Sequence, residues 1–256
     1  MINQVGMQLY TLRNRIQGDP GLAGTFKRVS DIGYRNVQVS GIGPQDPKEV
    51  KRIADDCNLK IAATHTGSNE LDEDFAAVVK KHQLWDCDQV CVPGIPTEMR
   101  SAEGFTEFAK KLNEFGKQLV KEGMTLSYHN HAHELEKFGE KTALDILYDT
   151  SEPAYLQAEI DTYWIQYGGG DPAAWCRKMK NRLPLVHLKD YGIIDNKPTF
   201  MEIGEGNLNW PAIFDACREA GAKWYLVEQD TCQREEFESA KISFDNMKKM
   251  FAEWGY

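Results

Sequence analysis

The sequence predicts an α/β protein built as a (β/α)8 barrel, and three observations predict it. A short β-branched or aromatic run, a polar turn and an amphipathic helix recur eight times along 256 residues. Strands joined by helical crossovers pair in parallel, and eight such units in about 250 residues suit a closed barrel better than an open doubly wound sheet. The first strand–turn lacks the G-x-G-x-x-G that would support a dinucleotide fold. The chain, 1–256, reads as one barrel domain.

The elements follow in order. A strand at 4–10 precedes a helix at 20–32. The strand at 36–42 leads to a helix at 46–57, where Asp46 is the N-cap and Pro47 takes the first helical position. Strand 60–66 is followed by helix 70–86, and strand 88–93 by helix 101–122. In that helix Phe105, Phe108, Leu112, Phe115 and Leu119 fall three and four apart, an apolar stripe for a sheet. Strand 124–131 leads to helix 141–150. Strand 156–163 leads to helix 171–181, opened again by an Asp-Pro pair, Asp171-Pro172. Strand 184–190 precedes helix 209–220, and strand 223–230 precedes helix 235–252. Gly33, Gly123 and Gly221 each follow a helix, where a left-handed residue ends it. Gly168-Gly169-Gly170 could cradle a phosphate, but a plain loop is the simpler reading.

Composition excludes several classes. Thirty Lys+Arg against 39 Asp+Glu give a net charge of −9, the wrong sign for a general nucleic-acid binder. With 41% hydrophobic residues the chain can fill a large core. No apolar run approaches the roughly 20 residues a bilayer needs. The N-terminus lacks the basic and apolar regions of a secretory signal. Six scattered cysteines form no C-x-x-C pair and read as reduced thiols. A cytoplasmic protein without membrane or nucleic-acid partners is expected.

A barrel carries its chemistry at the C-terminal ends of its strands, and polar residues collect there. The third strand ends in Thr64-His65-Thr66 and the fifth in His129-Asn130-His131-Ala132-His133-Glu134. The sixth ends in Glu159-Ile160-Asp161, the seventh in His187-Leu188-Lys189-Asp190, the eighth in Glu228-Gln229-Asp230. Gln8 and Gln38 come from the first two strands. The sixth histidine, His82, is expected to be a solvated helix residue. Alternation places Asp161, His187 and Glu228 inward with apolar neighbours outward, so the three could share a divalent cation: Mn²⁺, Mg²⁺, Co²⁺ or Zn²⁺. Each also has a plainer reading. Asp161 could cap or form a salt bridge, His187 could be a core histidine, and Glu228 could pair with Lys189. The 129–134 cluster could be a surface turn, and His65 could be a ligand contact or core packing.

The ordered segments AEIDTYW, PLVHLKD, EIGEGNLNW and WYLVEQD resemble the xylose-isomerase-like TIM-barrel family of sugar phosphate isomerases and epimerases. The nearest flavour is the branch of inosose dehydratase and 3-keto-sugar epimerases and lyases. The resemblance runs over most of the chain and is strongest from about 124 to 232. It implies one divalent metal, Mn²⁺ before the others, held by Asp161, His187 and Glu228. The family's fourth ligand is a glutamate ending the fifth strand. Here His129 stands there: either His129 binds the metal or Glu134, further along the same segment, reaches back to it, with Glu134 favoured because a hard cation prefers a carboxylate. Gln38 stands where relatives often have glutamate.

The chemistry expected is proton abstraction α to a carbonyl, giving an enediolate on a small keto-sugar or sugar phosphate. Glu228 (as ligand and base together), His129 and His131 are the candidate bases. Lys189 would neutralise the enediolate or hold a hydroxyl. Gln8, Gln38, His65, Trp164 and Lys189 are candidate substrate contacts, and Tyr10, Tyr163 and Trp210 could stack on a sugar or pack the rim. Isomerisation or epimerisation is the first expectation. Elimination from a 3-keto-sugar, keto-glycoside or inosose by the same first step is the alternative. A metal-dependent phosphodiesterase of endonuclease type and a non-catalytic sugar-binding barrel are weaker ones. The loops after strands six and seven could pack a homo-oligomer or cover the mouth.

Overall fold

A computed structural model describes residues 1–255. Eight parallel strands close a barrel in chain order: β1 Val5–Gln8, β2 Asn36–Val39, β3 Lys60–His65, β4 Gln89–Val92, β5 Thr125–His129, β6 Gln157–Asp161, β7 Leu185–Leu188 and β8 Trp224–Val227, with β8 pairing back onto β1. The strands are almost wholly buried, as both faces of a barrel wall must be. Outside them pack α1 Gly21–Ile32, α2 Pro47–Asp56, α3 Phe75–Leu84, α4 Ala102–Lys121, α5 Ala143–Thr150, α6 Pro172–Lys178, α7 Trp210–Ala220 and α8 Glu236–Trp254.

Local chemistry sets these helices. Asp46 accepts from Lys48 N–H at 3.0 Å at the start of α2, and Asp171 caps α6 through Ala173 N–H at 2.8 Å. Gly221 ends α7 in the left-handed region, with φ 86°. The stripe on α4 is buried at Phe105, Phe108, Leu112 and Leu119, each worth roughly 1.5–3 kcal/mol. Phe115 sits at its edge, partly buried.

Four expectations change. Helix 70–86 is two helices, Ser68–Glu73 and α3, because Asp74 leaves helical backbone to cap α3 through Ala77 N–H at 2.9 Å. Strand 156–163 stops at Asp161, whose side chain caps a short helix at Thr162–Tyr167. Strand 184–190 stops at Leu188, and Asp190–Ile194 turns out to pair antiparallel with Lys197–Met201 as a hairpin beside the mouth. His82 is not solvated: it is fully buried, with Nδ1 donating to Val78 O at 2.8 Å and Nε2 at 2.7 Å from Thr64 Oγ1. Burial pushes its pKa down to about 4, so it is neutral. All six cysteines are free thiols. No helix among the described residues is long and apolar enough to cross a membrane.

Candidate active site

Cavities lie at both ends of the barrel's strands. The one at the strands' N-terminal ends, about 360 Å³ between residues such as Thr125, Gln157 and Pro184, gathers no cluster of titratable groups. The one at the C-terminal mouth, about 300 Å³, is lined by His65, His129, His131, Trp164, Lys189 and Glu228 among others, and is the chemical candidate although it is smaller.

The strand period builds this mouth in two layers. Residues two apart share a face, so Glu159 and Asp161 on β6 both point inward, as do His187 and Lys189 after β7 and Glu228 and Asp230 after β8. Pairing sets their levels: His129 stands beside Glu159, and Asp161 beside His187.

The upper layer centres on Lys189. Its ammonium lies 3.0 Å from Asp161 Oδ2, 2.7 Å from Glu228 Oε2 and 3.1 Å from Asp230 Oδ1, and is itself buried. His187 Nδ1 faces Glu228 Oε2 at 3.0 Å and Asp161 Oδ2 at 3.7 Å. Burial alone would raise Asp161 and Glu228, but Lys189 and His187 prevail and hold both below the usual carboxylate range. Burial opposes the charge on Lys189 and His187 too, and the surrounding carboxylates raise both. Asp230 goes the other way: burial, helped by Glu228 and Asp161, pushes it up to about 6. The plainer readings of Asp161 and Glu228 are therefore present in the structure. Asp161 Oδ1 caps the 162–167 helix through Trp164 N–H at 2.9 Å, and Glu228 pairs with Lys189.

The lower layer is a hydrogen-bonded network around Glu159. Its Oε2 lies 2.8 Å from His65 Nε2, 3.3 Å from His187 Nε2, 3.4 Å from His129 Nδ1 and 3.0 Å from Cys91 Sγ. Burial would raise Glu159; the imidazoles hold it far below its ordinary value. Sequence reasoning placed Glu159 at a strand end but gave it no role. Its spacing of two from Asp161 was the available signal.

Several expected contacts fall elsewhere. Gln8 and Gln38 are fully buried beneath the cavity, bonded to each other at 2.9 Å, and Gln38 Nε2 donates to Glu159 at 2.8 Å. Their amides support the site and do not line the cavity. Glu134 does not reach Asp161, His187 and Glu228. A short turn at His133–Leu135 carries it aside, where Tyr128 Oη donates to it at 2.6 Å and His131 N–H at 2.9 Å. Buried there, it is pushed up to about 7. His129 is the β5 residue grouped with the other three. Trp210 is buried, its Nε1 donating to Asp190 at 2.8 Å, and Tyr163 stacks on Phe200 at 4.1 Å between ring centroids. His65, Trp164 and Tyr10 do line the cavity, with the Arg13 guanidinium 4.1 Å over the Tyr10 ring.

The EIGEGNLNW segment owes its shape to Asp190. This carboxylate accepts from the backbone N–H of Gly204 at 2.8 Å, Gly206 at 3.1 Å and Leu208 at 3.3 Å, besides Trp210. A Cβ at Gly206 would collide with it. The 168–170 glycines form a helix exit: their N–H groups bond to Trp164, Gln166 and Ile165 carbonyls at 2.9–3.0 Å, leaving none for a phosphate.

His129, Asp161, His187 and Glu228 are all buried, and one ligand atom from each lies within 4.8 Å of the others. This mixed nitrogen and oxygen set could hold a metal ion. Asp161 Oδ2 is held by the Lys189 ammonium at 3.0 Å and His129 Nδ1 faces Glu159 at 3.4 Å, whereas His131 Nδ1 and Trp164 Nε1 nearby have no hydrogen-bond partner. Buried polar atoms are seldom left so, and two of them lining one cavity mark a place arranged for a ligand.

A closed eight-stranded parallel barrel with a buried carboxylate–imidazole centre at its C-terminal mouth defines the class. The chain belongs to the xylose isomerase-like TIM barrel family, whose model matches residues 26–250. It is 22% identical to the rhizopine catabolism protein MocC of Rhizobium meliloti, over 93% of this chain and 84% of that one. It is 24% identical to the inosose dehydratase of Clostridium tetani, over 89% of each. The crystal structure of a sugar phosphate isomerase/epimerase from Parabacteroides distasonis ATCC 8503 superposes with a TM-score of 0.81 at 21% identity, covering 96% of this chain and 97% of that one.

Proposed function

We propose that the protein is a metal-dependent isomerase or epimerase of a small keto-sugar that works by removing a proton α to the carbonyl. The observation that carries this reading is the convergence of Asp161, His187, Glu228 and His129 under a cavity that also exposes Lys189 and His131. A divalent cation held by those four, with Mn²⁺ the first choice, would supply Lewis-acid polarisation of a carbonyl oxygen.

The chain's own groups divide the rest of the work. Trp164 offers an apolar face and an unpartnered Nε1–H to orient the sugar. Glu228, held ionised, accepts the α-proton. Lys189 places a fixed positive charge beside the oxygen where negative charge develops. His131 is neutral, since burial and then His129 and Lys189 push it down to about 2; it orients a substrate hydroxyl by accepting its hydrogen bond. Delivery of a proton to the opposite face of the same carbon gives the epimer, and delivery to the neighbouring carbon gives the isomer.

A second reading follows from the unlike pair, a carboxylate and an imidazole, and from the likeness to inosose dehydratase. If the proton that Glu228 takes is passed to a β-hydroxyl oriented by His131, the C–O bond breaks and water leaves, which is dehydration. A phosphodiesterase reading has little support, because Glu159, Asp161, Glu228 and Asp230 make the mouth acidic, against a polyanionic backbone. The test is solvent-deuterium exchange into a panel of keto-sugars, with metal stoichiometry measured for wild type and Asp161→Asn. Exchange that survives removal of the metal, or an Asp161→Asn protein that keeps its metal, overturns the proposal. Product analysis separates epimer from dehydrated ketone.

A further inference from the structure

Beneath the Lys189 layer, the polarity of a chain of hydrogen bonds is set by Glu159. An ionised carboxylate only accepts. The Gln38 atom 2.8 Å from Glu159 Oε1 is therefore the amide nitrogen. That turns the Gln38 carbonyl the other way, where it meets Gln8 Nε2 at 2.9 Å and His187 Nε2 at 2.6 Å. A carbonyl oxygen also only accepts, so His187 Nε2 carries a proton. In a neutral imidazole the lone pair is then on Nδ1, the nitrogen that faces Glu228 at 3.0 Å and Asp161 at 3.7 Å. A lone pair aimed at two carboxylates is satisfied by a cation among them or by a second proton on the ring.

We propose that Glu159, acting through Gln38, is a positioning residue that fixes His187 as the Nε2–H tautomer and so reserves Nδ1 for a bound cation. The inference rests on the metal reading above and assigns Glu159 a place outside the ligand set. The deeper group of His65, His129, Glu159 and His187 is equally compact, but its atoms are already used. Glu159 Oε2 accepts from His65 Nε2 and from Cys91 Sγ, and His187 Nε2 is bonded to Gln38. A cation there would have to displace those protons. The deep group is a hydrogen-bonded support, and the upper group is where His187 Nδ1 meets the carboxylates of Glu228 and Asp161, both of which the Lys189 ammonium already pairs. Imidazole ligands to metals commonly have their second nitrogen held in this way, and loss of the outer partner weakens metal binding about 10–100-fold.

The test uses zinc as a diamagnetic probe. Zinc affinity of the metal-free protein is measured by calorimetry, and the ring nitrogens are read by ¹H–¹⁵N NMR of histidine-labelled protein with and without zinc. Wild type is expected to show His187 protonated at Nε2 and zinc-shifted at Nδ1. Glu159→Gln frees the Gln38 amide to turn over; a drop of about 10–100-fold in zinc affinity and loss of the protected Nε2 proton are expected. Gln38→Met removes the acceptor and leaves Glu159 its contacts to His65 and Cys91, and is expected to give the same two changes should Glu159→Gln not fold. Zinc bound through His187 Nε2 overturns the proposal, as does a Gln38→Met protein with unchanged affinity and tautomer. A wild type that takes up no zinc refutes the metal reading itself. The Nε2 proton of the metal-free protein then still reports on the lock, and its absence, or its survival unchanged in Gln38→Met, overturns the tautomer assignment.

Discussion

Replacing Lys189 by methionine removes the ammonium shared by three carboxylates while keeping the unbranched stem up to its last atom. In the native site that ammonium is buried and stands 2.7–3.1 Å from Glu228, Asp161 and Asp230. Taking one partner from a buried ion pair costs about 3–5 kcal/mol, because the remaining charge is left in a poor solvent. The expected loss at pH 7 in metal-free buffer lies in that range, read from urea unfolding followed by tryptophan fluorescence. The pH dependence has a definite sign. With Lys189 present, Asp161 and Glu228 are held below their ordinary pKa values, so their contribution is full above the unfolded value near 4 and is lost as pH falls through the folded ones. Without Lys189 the carboxylates are buried and uncompensated, so the deficit of the variant is largest at pH 7 and narrows as pH is lowered toward about 4. A divalent cation should take over part of the lost role. At a concentration 100 times its Kd it would restore about 2.7 kcal/mol. A deficit below about 1 kcal/mol at pH 7, the scale of an exposed pair, or a deficit that widens on acidification, refutes this account of the upper layer.

The remaining predictions concern the supports. His82→Leu should cost the Thr64 hydroxyl one of its two partners, leaving Thr66 Oγ1 at 3.0 Å, and lower stability by about 1 kcal/mol. Because His82 is neutral when folded, at about 4 against 6.5 unfolded, wild type should lose stability as pH falls from 6.5 toward 4 more steeply than the variant does; equal slopes would remove His82 from the acid response. Asp190→Ala orphans the Trp210 indole N–H and the N–H groups of Gly204, Gly206 and Leu208, and should lower stability by at least about 2 kcal/mol; a urea midpoint like wild type's would contradict the clamp. Glu134→Gln should leave divalent-cation affinity within about twofold, while His129→Ala should reduce it at least tenfold. The opposite pattern in calorimetry would return the fourth position to Glu134.

Much of this was legible along the chain, for a local reason. Asp46-Pro47, Asp171-Pro172 and Gly221 mark helix ends through hydrogen bonds a few residues long, and the α4 stripe marks a buried face through its period. Once eight such units are recognised, strand ends become mouth positions, which is how Asp161, His187, Glu228, Lys189, His129, His131 and His65 could be named from residue type and spacing. The failures have one physical origin. His82 read as solvated because nothing in its helix shows that Thr64, 18 residues earlier, would bury it with a partner. Glu134 is drawn away by Tyr128 and the His131 amide, a competition that spacing does not encode.

The sequence by itself determined the repeating unit, the inward faces and the supply of carboxylates and imidazoles at one end of the barrel, because strand and helix periods are local properties. The tertiary structure alone decided which of those groups face one another and with what polarity. Residues 8, 38, 159 and 187 meet only when the sheet closes, and hydrogen-bond direction and pKa are set by neighbours in space.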